Sequence, residues 1–269
     1  MSNTSPPNRL PAALLSAAVA LACSGMAAAW DGPAYSRAKA SGPQGDTVQS
    51  VTQLPDWRGA WGMSSRSFRV IVQTSDTIGA GRIPPFNEKY AARHDVSVRK
   101  RRGGESAGNN SASCLPNGMP SIMSAAFAYE FLFTPGQVTI IPESNEVRRV
   151  FTDGRPHPKE DVIEDSWEGH SIGHWEGQTL VVDTVGLNGK SEMFVGMRIT
   201  PSAHIVERIH RKDAKTMQID TTIYNDTMFT KPYSYTRELD IVPAGMKQAF
   251  CTENNRDNNI SVDLTPPED

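Results

Sequence analysis

The fold is indicated most directly by the stretch Asp165-Ser-Trp-Glu-Gly-His-Ser-Ile-Gly-His-Trp-Glu-Gly-Gln-Thr-Leu-Val-Val-Asp-Thr-Val-Gly-Leu187. A polar, aromatic-rich segment precedes an apolar, β-branched one, which is the pattern of a β-hairpin with its turn at Glu176-Gly177. If those two residues form the whole turn, His170 lies opposite Asp183, on the same face of the sheet and with Cβ atoms roughly 5 Å apart. A turn longer by one residue instead places His170 opposite Thr184.

Short strands on both sides of this hairpin predict an all-β protein. Residues 131–134 and 137–142 flank the turn dipeptide Pro135-Gly136, and residues 204–210 and 216–224 flank a polar turn. Strands at this spacing, with no helical pattern between them, favour a single antiparallel, lipocalin-like β-barrel over residues 54–262. The other predicted elements are strands 146–151, 233–242 and 247–251, one short helix from Glu88 capped by Asn87, long N-terminal loops and a mobile loop at 99–113.

His170 and Asp183 are the first candidate catalytic residues. A carboxylate beside a histidine fixes the tautomer of the imidazole and supports general acid–base chemistry. Along its strand His170 shares one face with His174, while Trp175 belongs to the other face, and the pattern leaves open which face points into the barrel. The alternative is a structural histidine that bridges two strands.

The strand 204–210 supplies two further candidate catalytic residues, Glu207 and His204. Ile205 and Ile209 alternate with polar neighbours and favour an inner face that also holds Glu207. A buried carboxylate must be paired or protonated, so Glu207 is either an acid–base group or half of an ion pair with Arg148 or Arg149. His204, at the start of the strand, is placed to reach the mouth of the barrel.

Four residues are candidate substrate-binding groups. Arg149 can clamp an anionic group through two parallel hydrogen bonds. Trp167 and Trp175 belong to the aromatic strand of the hairpin, and Lys231 precedes a proline. His157, between two prolines, is held in a rigid turn and is expected at a rim, with an ordinary surface turn as the alternative.

The N-terminal region predicts export. Arg9 is the only charged side chain in residues 1–29, which are rich in Ala, Leu and Val and end in three alanines, as in a cleaved signal peptide. Residues 30–53 are rich in Gly, Pro and Ser and are expected to form a flexible leader. A periplasmic or secreted location follows.

Two cysteines, Cys114 and Cys251, remain after removal of that segment. In an oxidising compartment such a pair is interpreted as a disulfide, and closing so long a loop stabilises a fold by up to about 4–5 kcal/mol. Two buried free thiols are the alternative.

Hydride transfer, serine hydrolysis through a nucleophile elbow and nucleotide chemistry are disfavoured, because their sequence motifs are missing. The chain has no Gly-x-Ser-x-Gly elbow, phosphate-binding glycine loop, dinucleotide fingerprint, His-Glu-x-x-His helix or Cys-x-x-Cys pair. A net charge of -3 with one basic run, 99–102, does not predict a nucleic-acid surface. We therefore expect no cofactor, no metal and no nucleic-acid partner, although histidines from different strands leave a metal site open as an alternative.

Seven motifs between residues 54 and 256 carry a resemblance to a known family: Trp57-Arg-Gly-Ala-Trp61, Cys114-Leu-Pro-Asn-Gly-Met-Pro120, Phe131-Leu-Phe-Thr-Pro-Gly136, Thr152-Asp-Gly-Arg-Pro-His157, Gly169-His-Ser-Ile-Gly-His-Trp-Glu-Gly177, Thr179-Leu-Val-Val-Asp-Thr-Val-Gly186 and Phe229-Thr-Lys-Pro232. The chain resembles a large family of exported, β-rich bacterial proteins, common in sphingomonads and acidobacteria, over most of residues 54–256. The resemblance implies a secreted β-rich domain and no particular reaction or catalytic residues. One departure is Gln178, where such proteins commonly have Asp after Glu-Gly.

Three functional hypotheses follow. The first is a cofactor-independent periplasmic enzyme, a lyase or isomerase that uses His/Asp acid–base chemistry on a small hydrophobic or aromatic molecule in a barrel cavity. The second is a lipocalin-like carrier of a hydrophobic ligand with no catalysis. The third, a structural envelope protein, is disfavoured because buried polar groups are costly unless they are paired or used.

Overall fold

The computed structural model describes residues 35–64, 83–104, 113–194 and 196–247, together with Met1, Asn110, Ala249 and Cys251. The predicted signal peptide, apart from Met1, lies outside the described residues, as do residues 252–262 of the predicted barrel domain. No helix in the described part of the chain is long and apolar enough to cross a membrane.

The described elements are mostly β-strands. Two α-helices precede most of the strands, α1 (Val48–Val51) and α2 (Glu88–Arg102), and two short 3₁₀ turns lie at Arg37–Lys39 and Ser121–Met123. The strands are β1 (Ala60–Met63), β2 (Tyr129–Thr134), β3 (Gln137–Pro142), β4 (Arg148–Phe151), β5 (His170–Glu176), β6 (Thr179–Val185), β7 (Glu192–Phe194), β8 (Met197–Arg198), β9 (His204–Arg211), β10 (Thr216–Tyr224) and β11 (Tyr233–Val242).

Nine of these strands close into a barrel in the order β1-β11-β10-β9-β6-β5-β4-β3-β2, and β7 and β8 form a separate ribbon. The predicted lipocalin-like β-barrel is confirmed. All pairs of neighbours in the barrel are antiparallel except β4 and β5, which are parallel. A parallel pair needs a crossover instead of a tight turn, and residues 152–169 supply it.

The β5–β6 hairpin exists, but its predicted register is wrong by two residues. The turn is Gly177-Gln178, and Glu176 pairs with Thr179, so His170 lies opposite Val185 and Asp183 opposite Ile172. Gly177 has a φ of 60°, which glycine adopts without steric cost and which suits the first central position of a two-residue hairpin turn. Because the shift is even, His170 and Asp183 still share a face of the sheet.

The barrel interior is lined by alternate residues of each strand. In β9 these are Ile205, Glu207 and Ile209, all fully buried, so the predicted inner face of this strand is confirmed. In β5 the inner residues include Trp175, which packs 5.1 Å from Trp57, centroid to centroid. Large apolar side chains make up most of this core: Trp61, Tyr129, Phe131, Val138, Ile140, Val150, Leu180, Val182, Met217, Ile219, Ile223, Tyr233, Tyr235 and Leu239.

Helix α2 begins as expected and is longer than expected. The Asn87 side chain accepts a hydrogen bond from the backbone N–H of Tyr90 at 3.1 Å, which is the predicted cap. The helix continues to Arg102, so the prediction of a loop from residue 99 is wrong for residues 99–102. Arginine and lysine are good helix formers, which accounts for the extension. The described residues of 247–251 form no strand, contrary to prediction.

Residues 41–44 lie against the hairpin. The backbone N–H of Ser41 donates to the Trp175 carbonyl at 2.8 Å, and the N–H of Gly177 donates to the Ser41 carbonyl at 3.0 Å. The Gln44 side chain both donates to the Trp175 carbonyl and accepts from its N–H. This part of the segment assigned to a leader therefore adds backbone hydrogen bonds to the end of β5.

Cys114 and Cys251 form a disulfide with Cα atoms 5.4 Å apart, as predicted. Replacing both residues with Ser should lower the free energy of unfolding by about 2–4 kcal/mol, because the unfolded chain gains the entropy of an open loop. Urea unfolding of the oxidised wild type, the reduced wild type and the double variant measures this effect. The reduced wild type and the double variant should have the same free energy of unfolding, below that of the oxidised wild type. Equal free energies for all three proteins would contradict the prediction.

Candidate active site

The outer face of β5, β6 and β9 is partly covered, and polar side chains lie beneath the cover. Asp183 is 4% exposed and His174 is fully buried, although both point away from the barrel core. Tyr35 packs edge-on against His174 with ring centroids 4.9 Å apart, and His157 from the 152–169 crossover lies beside His170. A protected polar site therefore forms on the outside of the sheet.

Four side chains form a continuous chain of contacts, which we call the His/Asp cluster: His170, His157, Asp183 and His204. Nδ1 of His170 lies 2.8 Å from Nδ1 of His157. Nε2 of His157 lies 3.5 Å from Oδ2 of Asp183, longer than an ordinary hydrogen bond, and Nε2 of His204 bonds Oδ1 of the same carboxylate. The His157 side chain remains 18% exposed, so the cluster is open to solvent at this end.

The carboxylate of Asp183 is held in its ionised form. Burial acts to raise its pKa, but the interactions with His157 and His204 outweigh burial and leave the pKa below the ordinary value. A carboxylate accepts hydrogen bonds and donates none, so His204 presents an N–H to it. Nε2 of His157 is buried with no hydrogen-bond partner at ordinary distance among the described residues, and Asp183 is the acceptor that lies near it, at 3.5 Å.

One assignment of tautomers follows if the Nε2 proton of His157 is the one directed at Asp183. With its Nε2 proton directed at Asp183, a neutral His157 has a lone pair on Nδ1. Nδ1 of His170 must then donate its proton to His157, because two lone pairs cannot face each other at 2.8 Å. The basic lone pair of His170 is therefore on Nε2, the ring nitrogen that points away from His157.

His170 also has a lowered pKa. Burial is the main cause, followed by electrostatic repulsion between a protonated His170 and its neighbours His157 and Arg155. The neutral, basic form of His170 is therefore the one present at neutral pH, as a general base requires.

The same shift predicts a pH effect on stability. The unfolded chain binds a proton at His170 near pH 6.5, while the folded chain does so only at lower pH, so stability falls as pH drops through this window. Replacing His170 with Gln should flatten the dependence of unfolding free energy on pH between about 7 and 5. Urea unfolding at several pH values measures the slope. Part of the slope should remain in the variant, because burial also lowers the pKa of His174. A slope equal to that of the wild type would contradict the prediction.

Aromatic and cationic side chains border the cluster. The ring centroids of Phe151 and His170 are 5.4 Å apart, and those of Tyr224 and His204 are 6.1 Å apart. Arg155 stacks over Phe151 at 4.0 Å. The exposed Arg149 is on the same outer face of β4, one residue before the Val150–Ser171 pair, which places it at the level of His170. The surroundings suit an apolar or aromatic molecule that carries an anionic group.

Sequence reasoning missed two of these residues as members of the site. His157 was expected only at a rim, since no pattern shows that the crossover brings it onto His170. Tyr35, in the N-terminal segment, has its pKa raised to about 12 by burial and then by the Asp183 charge, so it lies near that carboxylate in protonated form. No sequence signal links Tyr35 to the hairpin.

Glu207 belongs to a different site from His170, so these two predicted catalytic residues do not act together. Glu207 lies inside the barrel, on the opposite side of the sheet from the His/Asp cluster. Its Oε2 bonds Nη2 of Arg148 at 2.5 Å, which is one of the two ion pairs considered from the sequence. Arg148 also donates to the hydroxyls of Ser171 and Thr184.

Three of the four predicted substrate-binding residues are not brought to the cluster. Trp175 is in the barrel core, because the inner face of β5 holds Ser171, Gly173 and Trp175. Trp167 is in the crossover, where its carbonyl accepts from the Met119 N–H at 2.8 Å. Lys231 is exposed in the turn before β11.

Within the described ranges, no three His, Cys, Asp or Glu side chains are arranged to hold a metal ion. Comparison of the chain with protein-family models, with curated proteins and with solved structures finds no match.

Proposed function

We propose that this protein is a cofactor-independent enzyme, a lyase or isomerase, whose acid–base chemistry is performed by the His/Asp cluster. The observation that carries the proposal is the buried Asp183 carboxylate, shared by His157 and His204, with His170 joined to it through His157. The chemistry is thus assigned to the outer face of β5, β6 and β9 and not to a cavity inside the barrel.

His170 is the proposed general base. Its Nε2 takes a proton from the substrate, while its Nδ1 proton stays hydrogen-bonded to His157 or moves to it. The positive charge that develops on the two imidazoles is stabilised by Asp183, at the far end of the chain. His204, which bonds the other oxygen of the same carboxylate, is the proposed acid that returns a proton to the product. Positioned proton transfer of this kind typically contributes about 10²–10⁴-fold to a rate.

The proposed substrate is a small hydrophobic or aromatic molecule. Phe151 and Tyr224 offer apolar surface beside His170 and His204, and Arg149 offers positive charge at the same edge, whereas Arg155 is already paired with Asp153. A molecule with an aromatic body and a carboxylate or phenolate group matches both features.

We also propose that the protein acts in the periplasm or outside the cell, as a member of the exported family that its motifs resemble. The composition of residues 1–29 and the Cys114–Cys251 disulfide support this location, because disulfides persist in oxidising compartments.

A turnover screen tests the proposal. The purified protein and a His170→Ala variant are incubated separately with a mixture of aromatic and lipid-like compounds, and the mixtures are analysed by mass spectrometry. Consumption of a compound by the wild type alone, with formation of an isomer or of two fragments, is the expected result. Equal consumption by a folded His170→Ala protein would overturn the assignment of His170.

The second candidate function is a lipocalin-like carrier with no catalysis. The barrel fold and its buried polar interior groups favour this reading. Trp57, Trp61 and Trp175 are in the core, so binding inside the barrel should quench tryptophan fluorescence. A ligand that quenches the fluorescence and is recovered unchanged would support the carrier, whereas turnover of the bound ligand would exclude it.

A further inference from the structure

The barrel interior contains a second cationic side chain, Arg237 on β11, which is 2% exposed. Its Nη1 donates to the backbone carbonyl of Ser124. Its Nε and Nη2 are buried and have no hydrogen-bond partner in the described part of the chain. A buried guanidinium with two unused donors is costly, since such groups are normally paired.

The two unused donors lie on one edge of the guanidinium group. Nε–H and the outer N–H of Nη2 are parallel, and their separation matches that of the two oxygens of a carboxylate. Nη1, on the other side of the group, is the nitrogen that Ser124 already occupies. Arg237 is therefore held by the protein with its carboxylate-binding edge unused.

The charge balance of the interior also favours an anion. Arg148 and Arg237 are both buried, and Glu207 is the acidic partner of Arg148. Among the fully described interior side chains these three leave one positive charge in excess. Isolated buried charges are strongly disfavoured, and an incoming anion would neutralise this one.

Polar side chains of the neighbouring strands share the inner face of the barrel with Arg237. Glu207, Thr221 and Tyr235 are cross-strand neighbours at one level of the barrel, and Arg237 follows two residues after Tyr235 on the same face. Tyr129 and Tyr235 both have pKa values raised by burial and lowered in part by Arg237, which places the guanidinium near both phenols. Tyr235 shares a hydrogen bond of 3.3 Å with the Ser124 hydroxyl.

We propose that Arg237 forms a site for the carboxylate group of a small organic acid inside the barrel, held bidentately through Nε and Nη2. The site is on the opposite side of the sheet from the His/Asp cluster. It stands independently of the chemistry proposed for that cluster, because none of its residues belongs to it.

Acetate and acetamide form the matched pair of probes, since they have nearly the same shape and differ in charge. Each is titrated into the purified protein at constant ionic strength, with sodium chloride as the reference, and binding is followed by calorimetry and by the shift of Tm. Acetate should bind saturably and raise Tm, and acetamide should do neither.

The Arg237→Lys variant tests the geometry, because lysine keeps the charge and loses the two-donor edge. Acetate affinity should fall at least tenfold. Arg99→Lys, at an exposed position on helix α2, is the control and should bind acetate as the wild type does. Equal acetate binding by Arg237→Lys, or equal effects of acetate and acetamide on the wild type, would overturn the proposal. If Arg237→Lys does not fold, absence of saturable acetate binding to the wild type still overturns the proposal.

Discussion

Replacing Arg148 with Met should lower the free energy of unfolding by about 3–5 kcal/mol, the loss typical of breaking one half of a buried ion pair. Arg148 and Glu207 are both fully buried, and the substitution leaves the Glu207 carboxylate inside the barrel without its cation. The Ser171 and Thr184 hydroxyls lose a donor at the same time. Since whole domains are stable by only about 5–15 kcal/mol, this one change removes a large share of the total.

Urea unfolding of a set of four proteins measures the effect: wild type, Arg148→Met, Glu207→Leu and the double variant. The double variant should recover much of the loss, because two apolar side chains of similar volume replace a pair whose desolvation was itself costly. Arg149→Met, at the neighbouring exposed position, is the matched control and should unfold like the wild type. A double variant that is less stable than both single variants would contradict the explanation by an unpaired buried charge.

Replacing Asp183 with Asn should lower kcat by about 10²–10⁴-fold on whatever substrate the turnover screen identifies. Asn has nearly the shape of Asp but has no charge with which to stabilise a protonated His157 or His204. It also presents an N–H₂ group, which can reverse the hydrogen-bond directions along the chain and shift the lone pair away from Nε2 of His170. Because this mechanism acts on the transition state, KM should change less than kcat.

Glu176→Gln is the control for this prediction. Glu176 also contacts a histidine, His174, from its Oε1 at 3.2 Å, but outside the His/Asp cluster. Activity should survive this substitution. The kcat/KM profile of the wild type should have an acid limb below the ordinary histidine value, in line with the lowered pKa of His170. Equal losses in Asp183→Asn and Glu176→Gln, with both proteins folded, would assign the effect to general disturbance of the sheet.

The fold was largely predictable, because local patterns determine the strands. The bounds of β3, β10 and β11 match the alternation and turn residues that flank them. The register of β5 and β6 was not predictable in detail, since Glu176-Gly177 and Gly177-Gln178 both offer a glycine to the turn. Only the requirement for a positive φ at the first central residue favours the second.

The site was predictable only in part, because both faces of the sheet are buried where the candidate residues lie. In β9 the isoleucines on either side of Glu207 mark the inner face correctly. In β5 both faces are buried, Trp175 by the core and His174 by the N-terminal segment, so alternation does not separate them. His157 arrives from a crossover, and sequence periodicity carries no information about such contacts.

The parallel pairing of β4 with β5 links one junction of the barrel wall to the His/Asp cluster. Only two residue pairs join these strands, Val150 with Ser171 and Phe151 with Ile172, so this junction is a weak seam in the barrel wall. The chain between the two strands carries His157, and Phe151 at the seam packs beside His170. Local opening there, which requires far less free energy than global unfolding, separates His157 from His170 while most of the barrel stays intact. The protein is thus expected to lose function at temperatures where its spectroscopic signature is still that of the native barrel.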